Sequence, residues 1–267
     1  RGYGVHETPQ STLFRRLHLV THHQALSLVF ARAYMLNLFM NAQFRKGRAY
    51  TYRQLVQLAQ PNADERDFRQ ALRHLLTLYH LQRGYYVACD VCGLETWVHW
   101  QDLAHYAVTI DASLPAHDRL MCPACAAQVT LPFDLSFSFR LSDYFRAFLK
   151  AGLVTVLYAL WYSAGRLPNV DYGVSLDVHK DEIHTDVDLL LRVDGTLKLI
   201  ECKDNFQTDA NSLDQLEAQL RQGKQIADDI GASFVFATLY AAELPERLTR
   251  FLNAHNIHTL RRADLLK

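Results

Sequence analysis

The chain has 267 residues, 49% of them hydrophobic and 21% charged, which is the composition of an ordinary globular protein with room for one large domain or two to three small ones. Its 28 basic and 28 acidic side chains cancel, which excludes a global electrostatic field that recruits nucleic acid. Any such binding therefore requires local basic groups, and the candidates are Lys46, Arg48, Arg53, Lys203 and Lys224.

Residues 1–47 are not assigned to a fold by the sequence. The chain begins with Arg, which suggests a processed, trimmed or partial chain, and this segment is interpreted as the tail of a missing upstream domain. An upstream domain or a partner subunit that is not present in this chain is a further expectation. The most apolar stretch, residues 25–40, is either a buried helix or two strands; it contains Arg32 and is too short to span a bilayer. No signal peptide is visible, so we expect a cytoplasmic protein without membrane contact.

Residues 48–88 show the pattern of two helices followed by a strand. Apolar residues keep helical spacing within 48–60, and a second apolar stripe leads to Gly84, which is expected to close the second helix. A strand-like "YYVA" (85–88) follows. This order is typical of a winged helix-turn-helix, and the alternative is a generic small helical layer that feeds the next module.

Two CxxC pairs, "CDVC" (89–92) and "CPAC" (122–125), define a candidate metal module over residues 89–130. Because the chain lacks a visible secretion signal, such pairs indicate metal ligands in preference to disulfide bonds. Four thiolates suit tetrahedral Zn2+, and because the shell is then complete, the predicted zinc is structural. A redox dithiol is the alternative, although the strand–helix context of such motifs is missing here. The predicted ligands are Cys89, Cys92, Cys122 and Cys125, and the predicted small core around them is Trp97, Trp100 and Tyr106.

Residues 140–267 alternate between helical and strand patterns, which predicts an α/β sandwich around a mixed sheet. Ser142 is expected to cap one long apolar helix. A capping box of Ser212 and Gln215 is expected to open a later helix that closes at Gly231. Together with the modules upstream of it, this C-terminal domain predicts the fold class α/β, in a multi-domain α+β protein. The predicted strands are 170–179, 185–193, 196–203 and 233–239.

Asp194 and Gly195 separate two strand-like runs and predict a two-residue hairpin turn. Side chains two apart, or directly opposed, share a face of the sheet. One surface should therefore collect three acids and one amine. Counting back from the turn, the expected pairs are Val193 with Thr196, Asp188 with Glu201 and Asp186 with Lys203.

Opposed carboxylates destabilise a sheet unless a cation lies between them. Lys203 offers one solution, as a structural ion pair. The other is a hard divalent cation, Mg2+ or Mn2+, held by carboxylate oxygens and water, with the backbone carbonyl of Cys202 as a further ligand. The Cys202 thiol is expected on the opposite face, with Val187 and Ile200.

The pattern of Asp188, a 12-residue gap and "ECK" at 201–203 resembles the PD-(D/E)XK nuclease superfamily, especially its restriction-endonuclease-like and Holliday-junction-resolvase-like members. The resemblance covers residues from about 140 to 267 and implies a three-layer α/β/α core with metal-dependent phosphodiester hydrolysis. It implies that Asp188 and Glu201 bind the metal. It also implies that Lys203 orients the attacking water or stabilises charge on the phosphate.

Accessory groups of that superfamily are matched less closely. Many members carry a further acid on the first helix, where this sequence offers Asp143, with Asp186 or Glu182 as substitutes. Some carry a polar residue on the helix after the motif, where Gln215 is the candidate. The sequence does not decide between one and two catalytic metals.

The resemblance implies a DNA endonuclease, and a recognition-like region ahead of a nuclease core suits restriction or anti-phage defence. The sequence does not distinguish RNA from DNA as the substrate. The alternative is a nucleic-acid-binding or regulatory protein, with a winged helix and a zinc ribbon, whose nuclease fold is catalytically degenerate. Many members act as dimers, so a homodimer or larger assembly is a further expectation, although no interface pattern is visible.

Overall fold

The computed structural model of the protein describes residues 3–16, 29, 32–60, 65–101, 121–129, 137–164, 170–180, 183–240 and 243–266. The chain divides into two compact units, one made of Arg1–Ala33 with Ala147–Lys267 and the other of Tyr34–Arg146. Helices and strands are mixed in both, so the predicted α/β multi-domain class is confirmed.

The described part of the chain contains ten strands and ten helices. The strands are β1 (Gly4–Glu7), β2 (Tyr50–Thr51), β3 (Leu81–Ala88), β4 (Glu95–His99), β5 (Ser138–Leu141), β6 (Asp171–Lys180), β7 (Ile183–Val193), β8 (Thr196–Lys203), β9 (Ser233–Thr238) and β10 (His258–Leu260). The helices are α1 (Pro9–Arg16), α2 (Ala33–Met40), α3 (Ala42–Arg45), α4 (Tyr52–Ala59), α5 (Glu65–Thr77), α6 (Asp143–Lys150), α7 (Leu153–Ala164), α8 (Ala210–Ile230), α9 (Glu246–Ala254) and α10 (Arg262–Leu265).

The first unit is built on a six-stranded mixed sheet in the order β1-β6-β7-β8-β9-β10. The β8–β9 and β9–β10 pairs are parallel and the other pairs are antiparallel. Strand β1 adds to the free edge of β6, with His6 paired to Asp177. Part of the segment that the sequence left unassigned therefore belongs to the edge of this sheet.

The hairpin between β7 and β8 forms as predicted. Asp194 and Gly195 have φ values of 50° and 76°, the left-handed conformation that a two-residue turn of this type requires. Val193 pairs with Thr196 across the turn, which fixes the register of everything that follows on β8.

Helices cover both faces of this sheet. Leu216 and Leu220 of α8 pack in one buried cluster with Leu199 and Phe234, which are paired neighbours on β8 and β9. Side chains alternate along a strand, so the intervening residues point to the opposite face, and α7 packs against the same three central strands with Val154, Tyr158 and other apolar side chains fully buried. The result is the three-layer α/β/α arrangement.

The start of α8 corrects the sequence prediction, whereas its end confirms it. Ser212 is not the cap: the helix begins earlier, because Asp209 is the N-cap and its Oδ1 accepts the Ser212 N–H at 3.0 Å. Gly231 closes the helix with φ 73°, as predicted. The Ser212 N–H, which the Gln215 side chain was expected to satisfy, is bound by Asp209 instead.

The single long helix predicted after Ser142 is wrong, because Gly152 (φ 75°) separates α6 from α7. Ser142 does cap α6, since its Oγ accepts the Phe145 N–H at 3.2 Å. Within the described ranges, a membrane-crossing helix of sufficient length and apolarity is not found; α6 and α7 meet that test only as a pair, bent by 82°.

The second unit has a four-stranded antiparallel sheet in the order β2-β5-β3-β4. The order α4, α5, β3 agrees with the predicted helix, helix, strand, and the winged-helix interpretation stays a prediction. Gly84 does not close α5, which ends at Thr77. It lies inside β3, where a Cβ would sit 2.2 Å from the Val98 carbonyl oxygen, so only glycine fits the close approach of β4.

Within the apolar stretch 25–40, the residues that the structure describes from Ala33 onward form helix α2. Met35, Leu36 and Phe39 have no exposed surface, so the buried-helix alternative holds for this part.

Candidate functional site

The β7–β8 ladder ends one step before the predicted acid pair. Its last paired residues are Leu189 and Ile200. Beyond them, the Cys202 N–H donates to Oδ2 of Asp188 at 2.8 Å, so a side-chain carboxylate accepts from the backbone of the next strand. The strands therefore begin to separate at this point, and the Asp188 carboxyl group lies in the opening.

Glu201 and Lys203 share one face of β8, as expected for residues two apart. Lys203 Nζ lies 2.6 Å from Glu201 Oε1, and only 4% of the Glu201 side chain is exposed against 27% of Lys203. The Asp188 carboxyl group interacts with both residues and is itself within hydrogen-bonding reach of Glu201. The structure thus brings together three of the predicted site residues.

The buried setting changes how these groups titrate. Burial, reinforced by the charge of Asp188, raises the pKa of Glu201 to about 8. Burial likewise raises the pKa of Asp188. Burial alone would lower the pKa of Lys203, but the charges of Glu201 and Asp188 outweigh it and raise that pKa. The single positive charge of the amine is therefore too small to compensate both carboxyl groups if they ionise at the same time.

Of the accessory residues, Asp186 is exposed on β7, and its charge acts on Asp188. It pairs with Asp177 of β6, and the β7–β8 ladder ends before it reaches Lys203. Gln215 is exposed on α8. Asp143 begins α6 in the other unit, where it pairs with Arg146. Glu182 lies outside the described residues.

Cys202 is a core residue. Its side chain is 5% exposed, and burial raises the pKa of its thiol well above the usual value, which keeps the sulfur neutral and unreactive. Its N–H is engaged by Asp188, while β8 continues to pair with β9 through Ala237. Val187, which the sequence placed on the same face as this thiol, belongs to the apolar cluster that contains Leu199.

Asp204, directly after Lys203, is a site residue that the sequence did not indicate. Its Oδ1 accepts the Thr155 N–H at 2.9 Å and the Thr155 Oγ–H at 2.8 Å. Helix α7 starts after Gly152, which has no side chain to cap it, so Asp204 supplies the acceptor from 49 residues away in sequence. This contact ties the end of β8 to the first turn of α7.

We expect Asp204→Ala to destabilise the protein by about 1–3 kcal/mol, because it leaves two buried donors of Thr155 without an acceptor. Asp204→Asn keeps an acceptor oxygen at the same position and is the matched control, with a smaller loss. Urea unfolding curves measure both variants. Equal stability of wild type and Asp204→Ala would show that the contact contributes nothing.

The four predicted zinc ligands meet in the second unit. Their sulfur atoms all lie within 4.8 Å of one another. Cys89 Sγ lies 3.6 Å from Cys125 Sγ, and Cys92 Sγ lies 3.5 Å from Cys122 Sγ. Zn–S bonds of about 2.3 Å in a tetrahedron place sulfurs about 3.8 Å apart, so the cluster fits a zinc site.

Both CxxC turns have the same backbone form, which explains how they aim two sulfurs at one point. Gly93 (φ 70°) and Ala126 (φ 56°) follow the second cysteine of each pair in the left-handed conformation. Their N–H groups donate back to the carbonyl oxygens of Cys89 and Cys122. Backbone N–H groups of the second turn also lower the pKa of Cys122 to about 6, which favours the thiolate that binds a metal. Tyr106 lies outside the described residues.

These cysteines are the only group of three or more His, Cys, Asp or Glu side chains in the described ranges that is placed to share an ion. Asp188 and Glu201 therefore stand as a pair, without a third such ligand from the described part of the chain.

No protein-family model matches the chain, and no curated protein matches it. Among solved structures, it resembles protein VC1899 from Vibrio cholerae, with 12% identity and a TM-score of 0.42 over 99% of this chain and 56% of that one. It also resembles Can2 from Sulfobacillus thermosulfidooxidans, solved in complex with cyclic tetra-adenylate, with 15% identity and a TM-score of 0.38 over 97% of this chain and 54% of that one. The chain spans about half the length of each.

Proposed function

We propose that this protein is a metal-dependent nuclease that hydrolyses phosphodiester bonds, with DNA as the first candidate substrate. The observation that carries the proposal is the buried group of Asp188, Glu201 and Lys203, in which Lys203 Nζ lies 2.6 Å from Glu201 Oε1 where two strands separate. Burying two carboxyl groups side by side is costly for a fold unless a cation compensates them. One lysine supplies one charge for two acids.

A hard divalent cation, Mg2+ or Mn2+, fits this donor set, since such ions prefer carboxylate oxygens. Asp188 and Glu201 would hold it, with the Cys202 carbonyl as a further oxygen. When bound, the ion polarises a phosphate and lowers the pKa of a coordinated water. Lys203 keeps its proton at neutral pH because of its acidic neighbours, so it is able to donate to a phosphate oxygen or to the attacking water.

The test is a cleavage assay of the purified protein with Mg2+ or Mn2+ on double-stranded, single-stranded and branched DNA, and on RNA. We expect metal-dependent nicking or cutting of at least one substrate class. An inert wild type across all of them would instead support the alternative, a regulatory protein with a degenerate nuclease fold. A role in restriction or anti-phage defence belongs to the proposal and depends on this result.

We expect the affinity for Mn2+ to rise with pH and to level off above about pH 8. Glu201 has an ordinary pKa of 4.5 and a folded-state pKa of about 8, so below pH 8 the folded protein holds a proton that the metal must displace. Each pH unit below 8 therefore lowers the apparent affinity by about tenfold. The same raised pKa makes the metal-free folded protein less stable as the pH rises from 4.5 towards 8. Over this range the Glu201 carboxyl group ionises freely in the unfolded chain but keeps its proton in the folded protein.

Calorimetric titration with Mn2+ between pH 6 and 9 measures this dependence, with the zinc site kept loaded. Glu201→Gln lacks this carboxylate ligand and should lose Mn2+ binding at every pH. A wild-type affinity that is flat over this range would contradict the raised pKa of Glu201.

A further inference from the structure

Arg140 of β5 is a half-buried arginine without an ion-pair partner in the described part of the chain. Its guanidinium Cζ lies 3.8 Å from the centroid of the Trp97 ring, and its Nε donates to Gln82 Oε1 at 3.3 Å. Burial lowers its pKa, and Asp143, the acid that acts on it, is itself paired with Arg146. Four further N–H donors are left for an acceptor from outside.

The stack is built into the backbone. Trp97 lies across Gly84, where a Cβ would come within 2.5 Å of the indole ring. The ring is thus held between the strand beneath it and the Arg140 guanidinium above it. Because the fold fixes the plane of the guanidinium, little rotamer freedom remains to be lost when a ligand binds.

This stack belongs to one face of the β3–β4–β5 sheet, which we call the Arg140 face. Paired residues share a face, and the register pairs Gln82 with Arg140, Tyr86 with Trp97 and Gly84 with His99. Tyr86 is 43% exposed. The opposite face carries the buried apolar cluster of this sheet. The side chains of the Arg140 face include Gln82, Tyr86, Trp97, His99 and Arg140, together with Ser138 and, at one end of the face, Ala88 and the exposed Glu95.

We propose that the Arg140 face binds single-stranded nucleic acid. An arginine lacking a carboxylate partner matches the charge of a phosphate, and the open side of a stacked guanidinium accepts the flat face of a base. The exposed Tyr86 ring beside it offers a second stacking surface. A duplex keeps its base faces stacked inside, so only an unpaired strand satisfies both kinds of contact. The inference goes beyond hydrolysis, because it assigns strand binding to the zinc-bearing unit and does not depend on cleavage.

The test measures binding of fluorescein-labelled oligothymidylate and oligouridylate to the full chain by anisotropy, without added Mg2+ or Mn2+. We expect Arg140→Ala to weaken binding by about tenfold or more, and Tyr86→Ala by about tenfold. Arg140→Lys keeps the charge but loses the planar stack, so it should fall between wild type and Arg140→Ala. Zinc content and unfolding curves verify that each variant is folded. If Arg140→Ala does not fold, Arg140→Lys still tests the proposal.

Arg69→Ala is the matched control. Arg69 also lies over an aromatic ring, 5.5 Å from the centroid of Tyr52, but it is paired with Glu65 at 2.8 Å. Wild-type binding by Arg69→Ala and weak binding by Arg140→Ala support the proposal. Loss of binding in Arg69→Ala alone would place the strand on α5, and unchanged binding in both Arg140 variants would overturn the proposal. A wild type that binds strands but cuts none would contradict the nuclease while leaving the Arg140 face supported.

Discussion

Lys203→Ala is expected to reduce metal-dependent cleavage by about a thousandfold, because the variant lacks the one amine that the described residues place at the acid pair of Asp188 and Glu201. In the proposed reaction the amine would neutralise charge that develops on the phosphate, and such a contribution is large where water is excluded. The fold should tolerate the change, since Glu201 has a raised pKa and can keep its proton when the lysine is removed. Cleavage rates under single-turnover conditions measure the effect.

Lys198→Ala is the matched control. Lys198 lies on the same strand near the hairpin, five residues and about 17 Å from Lys203. Its loss should leave cleavage unchanged. If Lys203→Ala cuts as fast as wild type, the buried group is not the catalytic site.

Asp188→Asn separates two roles of the acid. The amide oxygen can still accept the Cys202 N–H, so the local strand geometry is retained, whereas the charge that holds a cation is lost. We expect cleavage to be lost together with Mn2+ binding. Asp188→Asn that still binds Mn2+ like wild type would remove Asp188 from the metal site.

The second large effect concerns zinc. Elemental analysis should find about one zinc per chain, and Cys122→Ser should lose it and destabilise the second unit by several kcal/mol. Four sulfurs within 4.8 Å of one another are held there by two short turns, and removing the ion removes the metal–sulfur bonds that join these turns. Thermal unfolding with and without a chelator measures the loss.

Cys202→Ala provides the matched control, because it removes the fifth cysteine, which is buried and is not one of the four clustered cysteines. It should keep a full complement of zinc. A wild type that is folded, stable and free of metal would contradict the zinc assignment.

Several features were predictable because their cause is local. The Asp194–Gly195 turn needs only residues that tolerate positive φ, and it alone fixed the register that starts from Val193 and Thr196. The cysteine pairs identify their ligands because two residues between cysteines suffice to aim both sulfurs at one ion. The acid–X–Lys pattern likewise placed Glu201 and Lys203 on one face.

Other features depend on how distant segments meet. The predicted pairing of Asp186 with Lys203 failed because the ladder stops at Leu189 and Ile200, and the Asp188 carboxylate takes the next N–H. Gly84 lies inside β3 and not at the end of α5, and it is glycine because β4 approaches that position too closely for any side chain. Secondary-structure propensity and hydrophobic periodicity carry no information on where the β7–β8 ladder ends or on how closely β4 approaches Gly84.

The sequence by itself therefore determined the hairpin, the four clustered cysteines and the pair of Glu201 and Lys203, since each follows from spacings of a few residues. Only the tertiary structure decided that Asp188 turns into the opening between β7 and β8, that Asp204 caps α7, and that Arg140 stacks on Trp97 without an acidic partner among the residues that the structure describes. These contacts join residues 14 to 49 positions apart in the sequence. Burial sets the charge and the hydrogen bonding of these groups, and they become buried only when the helices pack on the sheet.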